Sequence, residues 1–188
     1  MNTTLKAFKA YSINTMRRFL VSCFTLFLAF SSLYAQSISV VESEAEIAFL
    51  FVDDDVDGKL SNFNFSGSIN LDDLSNSDFS GSVAMETLDT DNWFRDRHLR
   101  SKKYFHNKAY PLLTFKSTTV SGSGSEFLVR GDLTIKGITR SITFTFRKLP
   151  GKLRATAMIN TSRFDILIHD DASRNMVEVT ITLPYTTN

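Results

Sequence analysis

Few residues in this chain of 188 could do chemistry, and their spacing limits what that chemistry would be. His98, His106 and His169 are its three histidines, the natural candidates for proton transfer or metal ligation. His169 precedes Asp170 and Asp171, a pattern that invites a metal or general-base reading, and Arg95, Asp96 and His98 form a second cluster. Yet no two histidines stand at the helical spacing of a metal pair, and no serine sits in a nucleophile-elbow context. Arg95-Asp96-Arg97-His98 reads more simply as a solvated helix face with local ion pairs. An inward-facing Asp96 would accept hydrogen bonds from strand ends and lock the helix in place. The inventory predicts no catalytic residue, no metal site and no cofactor, hence a binding protein and not an enzyme.

Thiol chemistry is also restricted. The one cysteine, Cys23, lies inside an apolar run over residues 19–33. Ahead of that run stand Lys6, Lys9, Arg17 and Arg18, and residues 1–35 hold no Asp or Glu. The run ends in Leu33-Tyr34-Ala35-Gln36, a small residue at the cut. A positive segment, an apolar core and a small residue make a secretory signal, and the core falls short of the about 20 residues that span a bilayer. The expectation is a leader over residues 1–35, with Met16 as an alternative start, and a mature, periplasmic chain over residues 36–188. Leu20-Val21-Ser22-Cys23 superficially resembles a lipoprotein box, but too little apolar sequence precedes it, so no lipidation is expected. The mature chain then has no thiol, which excludes disulfides, cysteine-bound metals and thiol catalysis. Without the four leader cations, 17 basic groups face 20 acidic ones, a balance of −3. Such a chain has no general attraction to nucleic acid or anionic lipid.

The elements that must position the candidate residues are strands. Phe63, Phe65, Gly67, Ile69 and Leu71 alternate with polar residues, as do Phe127, Val129, Gly131, Leu133 and Ile135. The same period of two runs through residues 142–147, 153–160 and 177–183, and residues 47–52, 80–87 and 112–120 add three more strands. About eight strands separated by Asp- and Gly-rich turns predict one all-β, antiparallel domain, a sandwich or barrel. The turns are the acidic stretch at residues 53–58, a flexible loop at 121–125, Lys136-Gly137 and Pro150-Gly151. Residues 91–105 break the alternation. Thr90 or Asp91 would cap a short helix there, returning Trp93, Phe94, Leu99 and Phe105 to one side. A helix inserted between two strands would rim or plug a barrel end.

The inward faces are almost wholly apolar. They are expected to comprise Phe49, Phe51, Phe63, Phe65, Ile69, Met85, Phe115 and Phe127, continuing through Val129, Leu133, Phe144, Phe146, Ala157, Ile159, Val179 and Ile181. Two readings stand: a solid core, or an eight-stranded barrel with a lumen for one apolar ligand. Small inward residues, Gly67, Gly131, Ala155 and Ala157, favour the lumen by leaving volume unfilled. Each methylene buried there would contribute about 0.8 kcal/mol, so a long hydrocarbon would need no polar anchor.

Two multi-residue motifs then point to a family. Residues 92–115 carry Arg95-Asp96, His98-Leu99, Ser101, Phe105, Tyr110-Pro111 and Thr114-Phe115 in a set order. Residues 131–140 read Gly131-x-Leu133-Thr134-x-x-Gly137-x-Thr139. Gly58 with Phe63-x-Phe65-x-Gly67, and Ile159-Asn160-x-x-Arg163-Phe164, are weaker matches. Together they make nearly all of residues 36–188 resemble the YceI-like family of bacterial polyisoprenoid-binding proteins. That resemblance implies an eight-stranded lipocalin-like barrel, export to the periplasm, and a quinone tail or polyprenyl chain held in the lumen. Two positions depart from the pattern: Val52-Asp53-Asp54 stands where a histidine is common, and Asp165 follows Phe164 where glycine is usual. Three functions remain in view: a lipid carrier or reservoir, a solid-core stress or scaffolding protein acting through its surface, and a weak hydrolase or isomerase. An exposed edge between the first and last strands would also support a homodimer.

Overall fold

Alternating burial runs along most of the wall. From Glu126 to Leu133 every second side chain is buried and its neighbours face solvent, because successive Cβ atoms of a strand point to opposite faces. The computed structural model describes residues 37–187, so the expected leader and its cleavage point lie outside the described residues. The strands are Ser37–Val40 (β1), Glu46–Phe51 (β2), Val56–Leu60 (β3), Phe63–Phe65 (β4), Ile69–Asn70 (β5) and Ser80–Ala84 (β6). After the helix Trp93–Leu99 (α1) come Leu112–Ser123 (β7), Glu126–Ile135 (β8), Ile138–Leu149 (β9), Lys152–Asn160 (β10) and Met176–Thr187 (β11).

All pairings are antiparallel, in the order β3-β2-β11-β10-β9-β8-β7-β6-β4. The two ends of that path are consecutive in the chain. β3 pairs with β2 and β4 with β6, and only Ser61 and Asn62, the latter at φ 56°, separate them. The two therefore form one bent stave that closes the sheet into an eight-stave barrel. A bridge between Lys59 and Asp89 reinforces the seam. β1 and β5 are extra: β1 pairs with the end of β11 and with β5. Both β1 and β2 lie on β11, so among the described residues no free edge separates the first and last strands, and the expected basis for a homodimer is absent.

Several boundaries differ from the sequence reading. The continuous strand expected through Leu71 breaks after Phe65, because the chain at Gly67 approaches the carbonyl of Asp78 too closely for any side chain. β5 thus leaves the wall, and Ile69 packs against Ile38 outside the lumen. The expected flexible loop at 121–125 is mostly ladder, leaving only Gly124 and Ser125 as the turn. The strand expected over 80–87 ends at Ala84 in a 3-10 turn. The helix is half the expected length, and its cap is Asn92, whose side chain accepts the Arg95 N–H at 3.0 Å. Thr90 is committed elsewhere, and Asp91 is left-handed at φ 57°.

The two barrel ends are closed differently. At one end Ile38, Ile69, Leu74, Phe79, Phe127 and Phe146 form a solid plug, with the Phe127 and Phe146 rings stacked 5.2 Å apart. At the other, α1 and the β10–β11 loop overhang the opening. The barrel is a compact unit with its own core.

Candidate functional site

Between these ends the inward side chains do not close on one another. Val179 and Ile181 on β11, Phe49 on β2 and Phe115 on β7 point inward at mid-height yet remain only half-buried. A closed, hydrogen-bonded wall with half-exposed inward residues must enclose a space. That space is an apolar cavity of about 490 Å³.

Of the residues expected in the lumen, Phe49, Phe51, Phe63, Phe65, Met85, Phe115, Leu133, Phe144, Phe146, Ile159, Val179 and Ile181 line this cavity. Ile69, Phe127, Val129 and Ala157 do not. Ile69 lies off the wall, while Phe127 and Val129 are fully buried in the plug. The Ala157 methyl packs against the clusters at both ends. Sequence reasoning misses most lining residues outside clean alternation, notably Leu88, Tyr104, Ile166 and Ile168 from the connections at the mouth. Those connections carry no period to read. Leu99 and Phe105, expected together on one side of the helix, both line the cavity.

The inward glycines create no empty volume. A Cβ at Gly131 would stand 2.5 Å from Phe115 Cζ, and Gly58 accommodates the Phe49 ring in the same way. Each of the two makes room for a ring from a neighbouring strand. The cavity arises from barrel width instead.

Polar side chains on the lining gather mainly at the mouth: Asp54, Arg95, His98 and Thr161, with Ser80, Ser82 and Thr114 on β6 and β7. Most of those at the mouth have structural duties. Asp96, buried at 6 % exposure, accepts the Thr90 N–H at 3.0 Å and the Thr90 hydroxyl at 2.6 Å. Arg95 donates from Nε to Thr90 Oγ1 at 2.7 Å and from Nη2 to the Thr90 carbonyl at 2.5 Å. Arg100 adds a bond to the Glu86 carbonyl at 2.7 Å. These bonds pin α1 to the segment after β6, which turns Leu99 toward the lumen. Trp93 and Phe94, expected on the same side of the helix as Leu99, point outward instead, at 60 % and 78 % exposure.

The opposite overhang is the β10–β11 loop. Fully buried Asn175 accepts from the backbone N–H groups of Ile168 and His169 and donates to the carbonyls of His169 and Asp171. This presents Ile166 and Ile168 to the lumen. The loop is tied to the β2–β3 turn by His169 Nε2 with Asp54 Oδ2 at 2.8 Å, and by Arg174 Nε donating to Asp53 Oδ2 at 2.7 Å. Asp171 instead caps Ser173. His169 is thus part of a strap across the mouth; His98 packs on Tyr104 and His106 on Tyr110. Among the described residues no three His, Cys, Asp or Glu groups gather as a metal site.

The motif residues are chiefly architectural. Lys136 and Gly137, at φ 53° and 75°, make the two-residue β8–β9 turn, flanked by Thr134 and Thr139 with hydroxyls 2.8 Å apart. Tyr110 packs on Gly137, and the Pro111 carbonyl accepts the Met85 N–H at 2.8 Å. Lys136 Nζ reaches Asp165 Oδ2 at 3.0 Å and its carbonyl at 2.7 Å. The departing positions, Asp53-Asp54 and Asp165, therefore both carry mouth contacts.

A YceI-like domain model matches residues 38–185. Protein YceI of Escherichia coli O6:H1 is 42 % identical over 57 residues, 30 % of each chain, so the aligned stretch spans under a third of that relative's length. Burkholderia cenocepacia BcnA superposes with a TM-score of 0.69 at 18 % identity, covering 77 % of this chain and 98 % of that one. A polyisoprenoid binding domain from Saccharophagus degradans, implicated in plant cell wall breakdown, superposes with a TM-score of 0.55 at 13 % identity, covering 80 % and 98 %. These likenesses agree on the barrel fold.

Proposed function

The chain belongs to the YceI-like family, and on that premise we propose that its barrel binds one long apolar isoprenoid lipid, a quinone tail or polyprenyl chain, for carriage or storage. The observation that carries the reading is the set of half-buried inward residues, Phe49, Phe115, Val179 and Ile181, around an apolar cavity of about 490 Å³. Apolar surface facing a void in water is costly, and a hydrocarbon chain removes that cost at about 25 cal/mol per Å² covered. The mouth gives the lipid a way in between α1 and the β10–β11 loop. The likeness to the Saccharophagus degradans polyisoprenoid binding domain supports the same ligand class.

Binding without catalysis is supported by the polar groups at the mouth. Arg95 and Asp96 are committed to Thr90, and His169 to Asp54. The expected leader makes the periplasm the place where this carrier works. A packed scaffold is the weaker reading, because a solid core would bury the inward residues that stand half-exposed. Organic extraction of the purified barrel followed by mass spectrometry tests the proposal. Recovery of a stoichiometric prenyl lipid is expected; a lumen that yields none and takes up none contradicts it.

A further inference from the structure

We propose that the mouth end of the barrel docks onto an anionic phospholipid bilayer through the outer face of α1 and the turns that follow it. Seven of the nine exposed large apolar side chains among the described residues lie in connections or strand ends at the mouth. The two most exposed are Trp93 and Phe94, whose rings meet edge to face at 4.9 Å. An exposed aromatic pair is expensive in water but suits a bilayer interface, where an amphipathic ring has both surroundings. Neither residue lines the lumen, and neither supports the core.

Charge selects the partner. Residues 93–110 carry six Lys and Arg against the single carboxylate of Asp96. Arg95 and Arg100 are spent on backbone carbonyls, which leaves Arg97, Lys102, Lys103 and Lys108 exposed beside the aromatic pair. Arg97 lies 5.4 Å over the Trp93 ring. Apolar tips ringed by cations complement a negatively charged leaflet. The overall balance of −3, on which the expectation of no general attraction to anionic lipid rests, averages over this segregation. Asp55, Asp57 and Asp170 are exposed across the mouth, and on the helix side Glu86 and Asp91 stand ahead of α1, so the cationic turns that follow α1 are the part that approaches lipid.

The inference deepens the lipid-binding reading, on which it rests for its purpose: a docked mouth would pass an isoprenoid between bilayer and lumen without crossing water. Its test does not need the ligand. Trp93 is the only tryptophan of the chain, so its emission reports insertion directly. The probe is the barrel segment from Gln36 onward with vesicles of phosphatidylglycerol and phosphatidylcholine, or phosphatidylcholine alone, all free of isoprenoid. Expected are a blue shift and co-sedimentation with the anionic vesicles only, weakened at about 0.5 M salt, where screening is nearly complete beyond a few ångströms. W93S/F94S and K102E/K103E should each reduce partition at least about ten-fold with an unchanged melting curve. No partition into anionic vesicles, or partition that neither variant changes, overturns docking. So does a stable dimer that W93S/F94S dissociates, since the patch would then be a self-interface. Prenyl lipid loading is measured separately in detergent without a bilayer, so failure of docking and failure of the lumen reading are distinguishable.

Discussion

The ring of Phe115 on β7 occupies the space that a side chain at Gly131 on β8 would need: a Cβ there would stand 2.5 Å from Phe115 Cζ and closer still to the Lys116 carbonyl. Phe115 also meets Phe144 edge to face at 5.3 Å, so the glycine sets how far one wall of aromatic rings can lean out of the lumen. Gly131→Ala must move both a ring and a backbone carbonyl. It should destabilise the barrel by about 1–3 kcal/mol, the usual cost of overpacking, measured as a lower midpoint in urea with an unchanged slope.

Asp96→Ala removes the acceptor that receives both polar hydrogens of Thr90. The stranded donors should cost about 1–3 kcal/mol and lower the thermal midpoint by roughly 5 °C. Lipid uptake at temperatures well below that midpoint should stay within a few-fold of wild type. An unchanged melt would refute the locking role of Asp96.

Filling the lumen should separate binding from folding. Val179 is paired between Ala157 and Phe49, packs against the core on its flanks, and stays half-buried where it faces the cavity. Val179→Trp should cut prenyl lipid uptake at least about ten-fold with little change in stability, because the added ring enters empty space and not a packed core. Equal uptake by both forms would place the ligand elsewhere.

Stability should fall in acid through groups at the barrel seam and mouth. The Asp91 N–H, and then the Lys59 side chain, hold the Asp89 carboxyl below the ordinary aspartate value of 3.8. The Ser173 hydroxyl and N–H do the same for Asp171. A carboxylate with a depressed folded value stabilises the fold above the ordinary value, and that contribution is lost as pH falls through the depressed one. Denaturation midpoints should therefore be steady near neutrality and drop below about pH 4. Asp89→Asn should make the drop shallower.

The wall of this barrel is legible in sequence where strands are long and one face is wet. Phe127 to Ile135 declare their inward and outward faces through a period of two, and Lys136-Gly137 declares the turn. Closure is not legible, since the stave that closes the barrel is bent at Ser61 and Asn62 and its halves pair with different strands. Nor can local sequence show that glycines serve as platforms for rings, because the partner ring comes from another strand. Hydrophobicity alone would turn Trp93 and Phe94 inward. Their outward placement follows from the Thr90–Arg95–Asp96 bonds, a local side-chain constraint that a two-turn helix has too little periodicity to reveal. Much of the mouth lining escapes for a related reason: Ile166 and Ile168 are set by Asn175, whose role is visible only once the loop is folded.

The central claim is an apolar lumen that takes an isoprenoid chain, and its most direct measurement is a binding titration with polyprenols of increasing length. One-to-one, saturable binding is expected, with affinity rising at each added isoprene unit by an increment set by about 0.8 kcal/mol per buried methylene, then levelling once the lumen is full. Absence of saturable uptake, or an affinity indifferent to chain length, would contradict the account.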